Sequence, residues 1–204
     1  LKKLALRLAI QKASREGWLA EHMFVMGVHG PDGRVTYFNG AFPSACGKTS
    51  TAMIPGQTII GDDIAYLRKR DGVVYTANVE HGIFGIIQDV NPHDDPVIYE
   101  AITTPGEVIF GNVLVADGKP YWVGMGAEVP DQGVNFQGAW HKGKTDADGK
   151  PIPPSHKNAR YTVRISALAN RDERADDPAG APLGAIIYGG RDSDTLAPVE
   201  QAFD

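Results

Sequence analysis

Asp-Gly pairs at Asp32-Gly33, Asp71-Gly72 and Asp117-Gly118 each stand between two short strand-like runs. Asp-Gly takes the positive-φ backbone of a tight reversal at low steric cost, so each pair predicts that its flanking runs turn back on one another as antiparallel strands. The paired runs are residues 23–28 with 35–38, 64–70 with 73–77, and 107–115 with 119–123. Gly 24 and Pro 14 among 204 residues exceed ordinary usage, which argues for many turns and against a helical bundle. The glycines have no three-residue period, so a collagen-like chain is excluded.

Helical patterning is scarce. Residues 1–15 carry an apolar stripe of Leu4, Ala5, Leu8 and Ala9 between basic residues, and Gly17 ends the segment. Residues 42–49 read as a loop followed by a short helix that Pro55-Gly56 stops. A strand over 58–60 ends on Gly61-Asp62-Asp63. Residues 146–154 and 171–182 read as polar surface loops. Residues 184–188 read as a buried strand that opens onto Gly189-Gly190-Arg191. Many strands with few helices predict an α/β domain of mixed-sheet, α+β-like character rather than a regular parallel doubly wound sheet.

Net charge is −5, so no global field recruits nucleic acid. Cys46 is the single cysteine, which excludes an internal disulfide framework and suits a reducing compartment. No apolar run reaches the roughly 20 residues of a membrane span. The chain opens on Leu1 directly in an amphipathic segment, and 1–204 reads as one incomplete domain with both flanks missing.

Two motifs carry chemistry. Gly47-Lys48-Thr49 is the end of a phosphate-loop pattern, in which backbone N–H groups cradle phosphate, the lysine neutralises β/γ oxygens and the hydroxyl ligates a divalent cation. The Gly required five positions earlier is replaced by Phe42, so the pattern is incomplete, and a plain strand–turn–helix stays open. Asp62-Asp63, at a strand end downstream of that loop, suits a magnesium or manganese site; a solvated turn is the alternative.

Together these residues are more specific. The run from Phe42 through Pro43, Ser44, Ala45, Cys46, Gly47 and Lys48 to Thr49 resembles the phosphate loop of GTP-dependent phosphoenolpyruvate carboxykinase. The stretch from Glu16 to Met23, with His22, resembles that family's manganese-binding His segment. Gly61-Asp62-Asp63-Ile64-Ala65 resembles its metal-binding Asp segment, Asn158-Ala159-Arg160 its substrate motif, and Gly189-Gly190-Arg191 a late turn. These matches fall in family order. The resemblance implies reversible conversion of oxaloacetate and GTP to phosphoenolpyruvate, CO2 and GDP, in a cytoplasmic monomer with neither nucleic-acid nor membrane partners.

By the same resemblance, Lys2, His22 and Asp63 are Mn2+ ligands, and Thr49 with Asp62 serves the Mg2+ that accompanies GTP. A lysine ligand must be a neutral amine, which requires a lowered pKa. Ala45, Cys46, Gly47, Lys48, Thr49, Ser50, Arg160 and Arg191 face the nucleotide. Ser44, Asn158 and Arg160 face oxaloacetate. Cys46, Lys48, Arg160 and Arg191 form the catalytic group, Cys46 without a covalent role. The family's guanine-stacking aromatics lie downstream of this chain, and its oxaloacetate-binding Arg and Tyr segments upstream. Ser50 stands where an Asn is common, and residues 90–96 depart from a Pro-Gly-Thr tract. These departures keep pyrophosphate open as an alternative phosphoryl donor; a different phosphate-loop kinase or a nucleotide-binding protein stays open separately as an alternative function.

Overall fold

A computed structural model of the chain describes residues 2–43 and 47–190. Helix α1 (Lys2–Glu16) leads into strands β1 (Leu19–Glu21), β2 (Phe24–His29) and β3 (Val35–Ala41), then helix α2 (Lys48–Ala52). Strands β4 (Thr58–Gly61), β5 (Ala65–Arg70), β6 (Val73–Asn78) and β7 (Gly82–Ile86) precede helix α3 (Pro96–Thr103). Strands β8 (Val108–Gly111), β9 (Leu114–Ala116), β10 (Lys119–Tyr121), β11 (Gln132–Asn135), β12 (Gly138–His141), β13 (Arg160–Arg164) and β14 (Ala181–Tyr188) complete the order. The largest sheet runs β1-β5-β6-β14-β3-β2-β4; the smaller ones run β10-β9-β11-β12 and β7-β13-β8. Among the described strands, only the β14–β3 pair is parallel. The architecture is mixed α+β, and no helix among the described residues is long and apolar enough to cross a membrane.

The three expected hairpins form as β2–β3, β5–β6 and β9–β10. At two of them both turn residues take positive φ: Asp71 at 49° with Gly72 at 84°, and Asp117 at 49° with Gly118 at 72°. That left-handed pair matches the right-handed twist of the flanking strands. The main core lies between the largest and the three-stranded sheets and is built from Phe24, Met26, Ile59, Ile83, Ile98, Trp122 and Tyr161 with their neighbours.

Several expectations need correction. The stripe of Leu4 and Leu8 on α1 is exposed. Of the expected stripe Ala9 does pack, and the buried edge runs through Leu6, Ala9 and Ala13, which share one helix face and pack on Trp18, Ala20 and Tyr66. The run 107–115 is not one strand: Asn112, at φ 62°, breaks it into β8 and β9, which join different sheets. Helix α2 begins at Lys48, inside the segment read as loop. Residues 184–188 do form a strand, but Ile186, Ile187 and Tyr188 are exposed. Past Pro182, β14 pairs with β3 alone among the described strands.

The segment 171–182 is not a purely solvated loop either, because it carries Asp172, 3% exposed. Its carboxylate accepts hydrogen bonds from Thr58 Oγ1 at 2.5 Å, Tyr37 Oη at 3.3 Å and the Arg174 backbone N–H at 2.8 Å. Its own backbone N–H donates to Ile59 O at 2.8 Å. Burial, followed by the Asp172 charge, pushes the Tyr37 phenol above its ordinary pKa. These bonds tie the loop to β3 and β4, the strands that precede the two motifs. Asp172→Ala is expected to destabilise the fold by about 2–4 kcal/mol, since it removes the acceptor of the buried Tyr37 hydroxyl, the half-buried Thr58 hydroxyl and the Arg174 N–H. Thermal unfolding of the full-length polypeptide carrying this chain checks it, and an unchanged midpoint would refute it.

Candidate functional site

Strand register brings distant residues to one place. In β1–β5, Glu21 faces Ala65, so the residue after β1, His22, emerges beside the Asp62–Ile64 bend. β4 pairs with β2 and ends at Gly61, which delivers Asp62 and Asp63 to the same edge. Helix α2 opens with Lys48, directly after Gly47 at φ 83°. Lys2 comes from the first turn of α1.

Four of the expected side chains meet there. Lys2 forms an ion pair with Asp63 Oδ2, and its Nζ lies 3.3 Å from His22 Nε2. His22 Nε2 lies 2.5 Å from Asp63 Oδ1. Lys48 Nζ donates to Asp63 Oδ1 at 2.9 Å and to the Asp62 carbonyl, and stands 3.4 Å from Asp62 Oδ2. Asp63 and Lys48 are mostly enclosed, each 14% exposed, whereas Lys2 and His22 are about half exposed. The cluster is therefore a shallow basin with its carboxylates at the bottom and two nitrogen donors at the rim.

Burial, then the nearby Lys48 charge, lowers the Lys2 pKa; Arg160 acts in the same direction more weakly. His22 is lowered as well, by burial first and then by Lys2 and Lys48. Both shifts favour the neutral, lone-pair-bearing form that a metal ligand requires. Asp62, 4% exposed, adds a second observation: its Oδ1 is buried with no hydrogen-bond partner among the described residues. A buried carboxylate oxygen without a donor is costly unless a cation satisfies it. The donor set of amine, imidazole and carboxylate, together with that oxygen, fits a divalent cation. Counting only His, Cys, Asp and Glu would miss the place, since no group of three of those types gathers suitably among the described residues.

The other expected residues divide into three sets. Asn158 and Arg160 meet each other: Asn158 Oδ1 accepts from Arg160 Nε at 3.1 Å and Nη2 at 2.7 Å. The Arg160 guanidinium also sits 5.1 Å from the Phe84 ring centroid, over its face. Two contacts on a planar cation fix its plane, which a carboxylate or phosphate reads as a fork. Thr49 and Ser50 lie on α2, where the Ser50 hydroxyl points to Asp95 at 3.5 Å rather than into the cluster. Ser44, Ala45, Cys46 and Arg191 lie outside the described residues.

One residue of the site escaped sequence reading. Glu80 Oε2 accepts from the backbone N–H of Asp63 at 2.8 Å and of Ile64 at 3.0 Å. Burial raises its carboxyl pKa to about 7, against the opposing pull of the Ile64 N–H. Nothing in the local sequence Asn78-Val79-Glu80-His81 marks it; only the β5–β6 register places it opposite Asp63. Gly61 belongs to the same arrangement, because a Cβ there would meet the Asn78 side chain at 2.3 Å.

The family model for the phosphoenolpyruvate carboxykinase C-terminal P-loop domain matches residues 18–204. A relative from Pyrococcus horikoshii named phosphoenolpyruvate carboxykinase (GTP) is 60% identical over 205 residues, covering 100% of this chain and 33% of the relative. Proteins of the same name are 58% identical in Thermococcus kodakarensis and 48% identical in Sulfurisphaera tokodaii, again over 100% of this chain and 33% and 32% of the relatives. The chain spans about a third of the length of the curated relatives it matches. With its matched span covering all but residues 1–17, the chain belongs to the phosphoenolpyruvate carboxykinase C-terminal P-loop domain family.

Proposed function

We propose that this chain is the phosphate-loop and metal-holding part of an enzyme that converts oxaloacetate and GTP to phosphoenolpyruvate, CO2 and GDP. The observation that carries the reading is the meeting of Lys2, His22, Asp63 and Lys48, four residues from separate elements, beside the partnerless Asp62 oxygen. In this reading 1–204 is one incomplete catalytic domain, and β3, residues 42–47 and α2 form its phosphate-binding strand, loop and helix. Two nitrogen donors with one carboxylate favour a transition-metal dication such as Mn2+ over Mg2+, which prefers oxygen. Thr49 and Asp62 would hold the Mg2+ that accompanies the nucleotide. The same reading keeps the enzyme cytoplasmic and monomeric.

The chemistry follows from the substrate. Breaking the C–C bond to the leaving carboxylate releases CO2 and leaves the electron pair as the enolate of pyruvate. The enolate oxygen then attacks the γ-phosphorus, and GDP leaves. A divalent cation held by Lys2, His22 and Asp63 would supply Lewis-acid stabilisation of the charge that grows on the keto oxygen. Arg160, fixed in plane by Asn158, grips the remaining carboxylate and orients the substrate. Lys48 bridges the α2 start and the carboxylate pair, so its charge stands where phosphoryl oxygens gather. Arg191 and the backbone of residues 44–47 add further positive potential. Exclusion of water protects the enolate from protonation to pyruvate.

The test is product formation by the full-length polypeptide carrying this chain, with oxaloacetate and manganese, offered GTP, ATP or pyrophosphate separately. Phosphoenolpyruvate with GTP alone is the expected result. Product with pyrophosphate alone would overturn the donor, and no product with any donor would sink the enzymatic reading.

A further inference from the structure

We infer that Glu80 is a positioning residue: its side chain accepts two N–H groups where the strand pairing ends and fixes the backbone that aims Asp62 and Asp63 into the cation-holding cluster. The inference rests on reading Lys2, His22 and Asp63 as the metal-binding set.

The need for such a residue is visible in the ladder. β5 begins at Ala65, opposite Asn78 at the end of β6. Continued by two positions, the register would face Asp63 with Glu80. The strands do not continue, and a continued ladder would have served only one of the adjacent Asp63 and Ile64 N–H groups, because successive N–H groups of a strand point to opposite edges. Both N–H groups sit in an enclosed bend, where an unpaired backbone N–H is costly. Glu80 Oε2 accepts both, at 2.8 and 3.0 Å. One carboxylate oxygen thus satisfies two adjacent N–H groups just where the strand pairing has ended.

Glu80 is itself held. Its backbone N–H donates to Asn78 Oδ1 at 3.1 Å, and its carbonyl accepts from Asn78 Nδ2 at 2.8 Å. That closed pair fixes the Glu80 backbone just past the end of β6. Gly61 completes the device, since any Cβ there would collide with Asn78. The bend carries the Asp62 side chain toward Lys48 and the Asp63 side chain toward Lys48, Lys2 and His22, while the Asp63 and Ile64 N–H groups face Glu80. Groups one step behind a metal ligand commonly set its affinity by 10–100-fold through orientation alone.

The test is direct Mn2+ titration of the full-length polypeptide without nucleotide, reading free Mn2+ by electron paramagnetic resonance. Glu80→Ala is expected to weaken Mn2+ binding by about 10-fold or more. Glu80→Gln keeps an acceptor oxygen at the same reach and is expected to stay within about threefold of wild type. Glu80→Asp, one methylene short, is expected to weaken binding as Ala does, and it keeps the test decisive if the Ala variant does not fold. Binding by Glu80→Asp or by folded Glu80→Ala within twofold of wild type would overturn the inference. So would a Gln variant as weak as Ala, since charge rather than hydrogen-bond acceptance would then be the cause. Asp63→Asn separates the two levels: if it binds Mn2+ as tightly as wild type, the metal reading itself has failed, whatever Glu80 does.

Discussion

Lys48→Met is expected to lower the turnover number for phosphoenolpyruvate formation by about 10³-fold in the full-length polypeptide. The substitution keeps an unbranched side chain of similar length and removes only the ammonium. Two consequences follow from where that ammonium sits. Its Nζ reaches Asp63 Oδ1 at 2.9 Å and Asp62 Oδ2 at 3.4 Å, so its loss leaves two enclosed carboxylates facing each other with less compensation. It also removes a fixed positive charge from the place where a phosphoryl group would pass. Such charges contribute on the order of 10³-fold or more to phosphoryl transfer, because they act in an enclosed site and need no reorganisation. Arginine is not a conservative rescue: its wide planar fork does not match the compact reach of an ammonium between two adjacent carboxylates. Steady-state kinetics at saturating oxaloacetate and GTP, with circular dichroism to show that the fold persists, is the measurement. A loss below tenfold would remove Lys48 from the chemistry.

Trp122→Ala is expected to destabilise the protein by about 4 kcal/mol, the largest single-residue effect on stability anticipated for this chain. The ring is fully buried. It lies 6.3 Å from the Phe110 ring, nearly parallel at 17°, and 6.2 Å from Tyr99 at 61°. Its Nε1–H donates to Val90 O at 2.8 Å. Truncation therefore creates a large cavity, loses two aromatic contacts and strands a buried carbonyl. Val90 belongs to the turn between β7 and α3, and Trp122 follows β10, so one side chain clamps the three-stranded sheet, α3 and the four-stranded sheet together. Denaturant unfolding followed by far-ultraviolet circular dichroism measures the loss; a change under 1 kcal/mol would show that neighbouring side chains refill the space.

Much of the local architecture was legible because turn chemistry is local. Asp71-Gly72 and Asp117-Gly118 close their hairpins with both residues at positive φ, as any Asp-Gly between strand-like runs favours. Gly17 ends α1 at φ 73° for the same reason. Burial was less legible. Leu4 and Leu8 read as the packing face of α1, yet the helix meets only a small cluster, and that cluster sits under Leu6, Ala9 and Ala13. Ile186 and Ile187 read as core but are exposed, since burial depends on what covers a strand, and that is decided elsewhere in the chain. Asp172 read as loop and is buried, because its hydrogen-bond partners are Thr58 and Tyr37, more than a hundred positions away.

The candidate site shows the same division. Sequence alone determined the chemistry available: an amine, an imidazole, a carboxylate pair and a Gly-Lys-Thr motif, in an order that resembles one family. It also determined the antiparallel hairpins, because those signals lie within a few residues of each other, whereas the parallel β14–β3 pair that makes the sheet mixed joins distant segments. Only the tertiary structure decided that Lys2, His22, Lys48 and Asp63 occupy one basin, that Asp62 keeps a buried oxygen without a partner, and that Glu80 takes over where a ladder stops. The physical reason is that donor distances and backbone satisfaction are set by strand register and by the packing of separate elements. Neither is encoded in any short stretch of the chain.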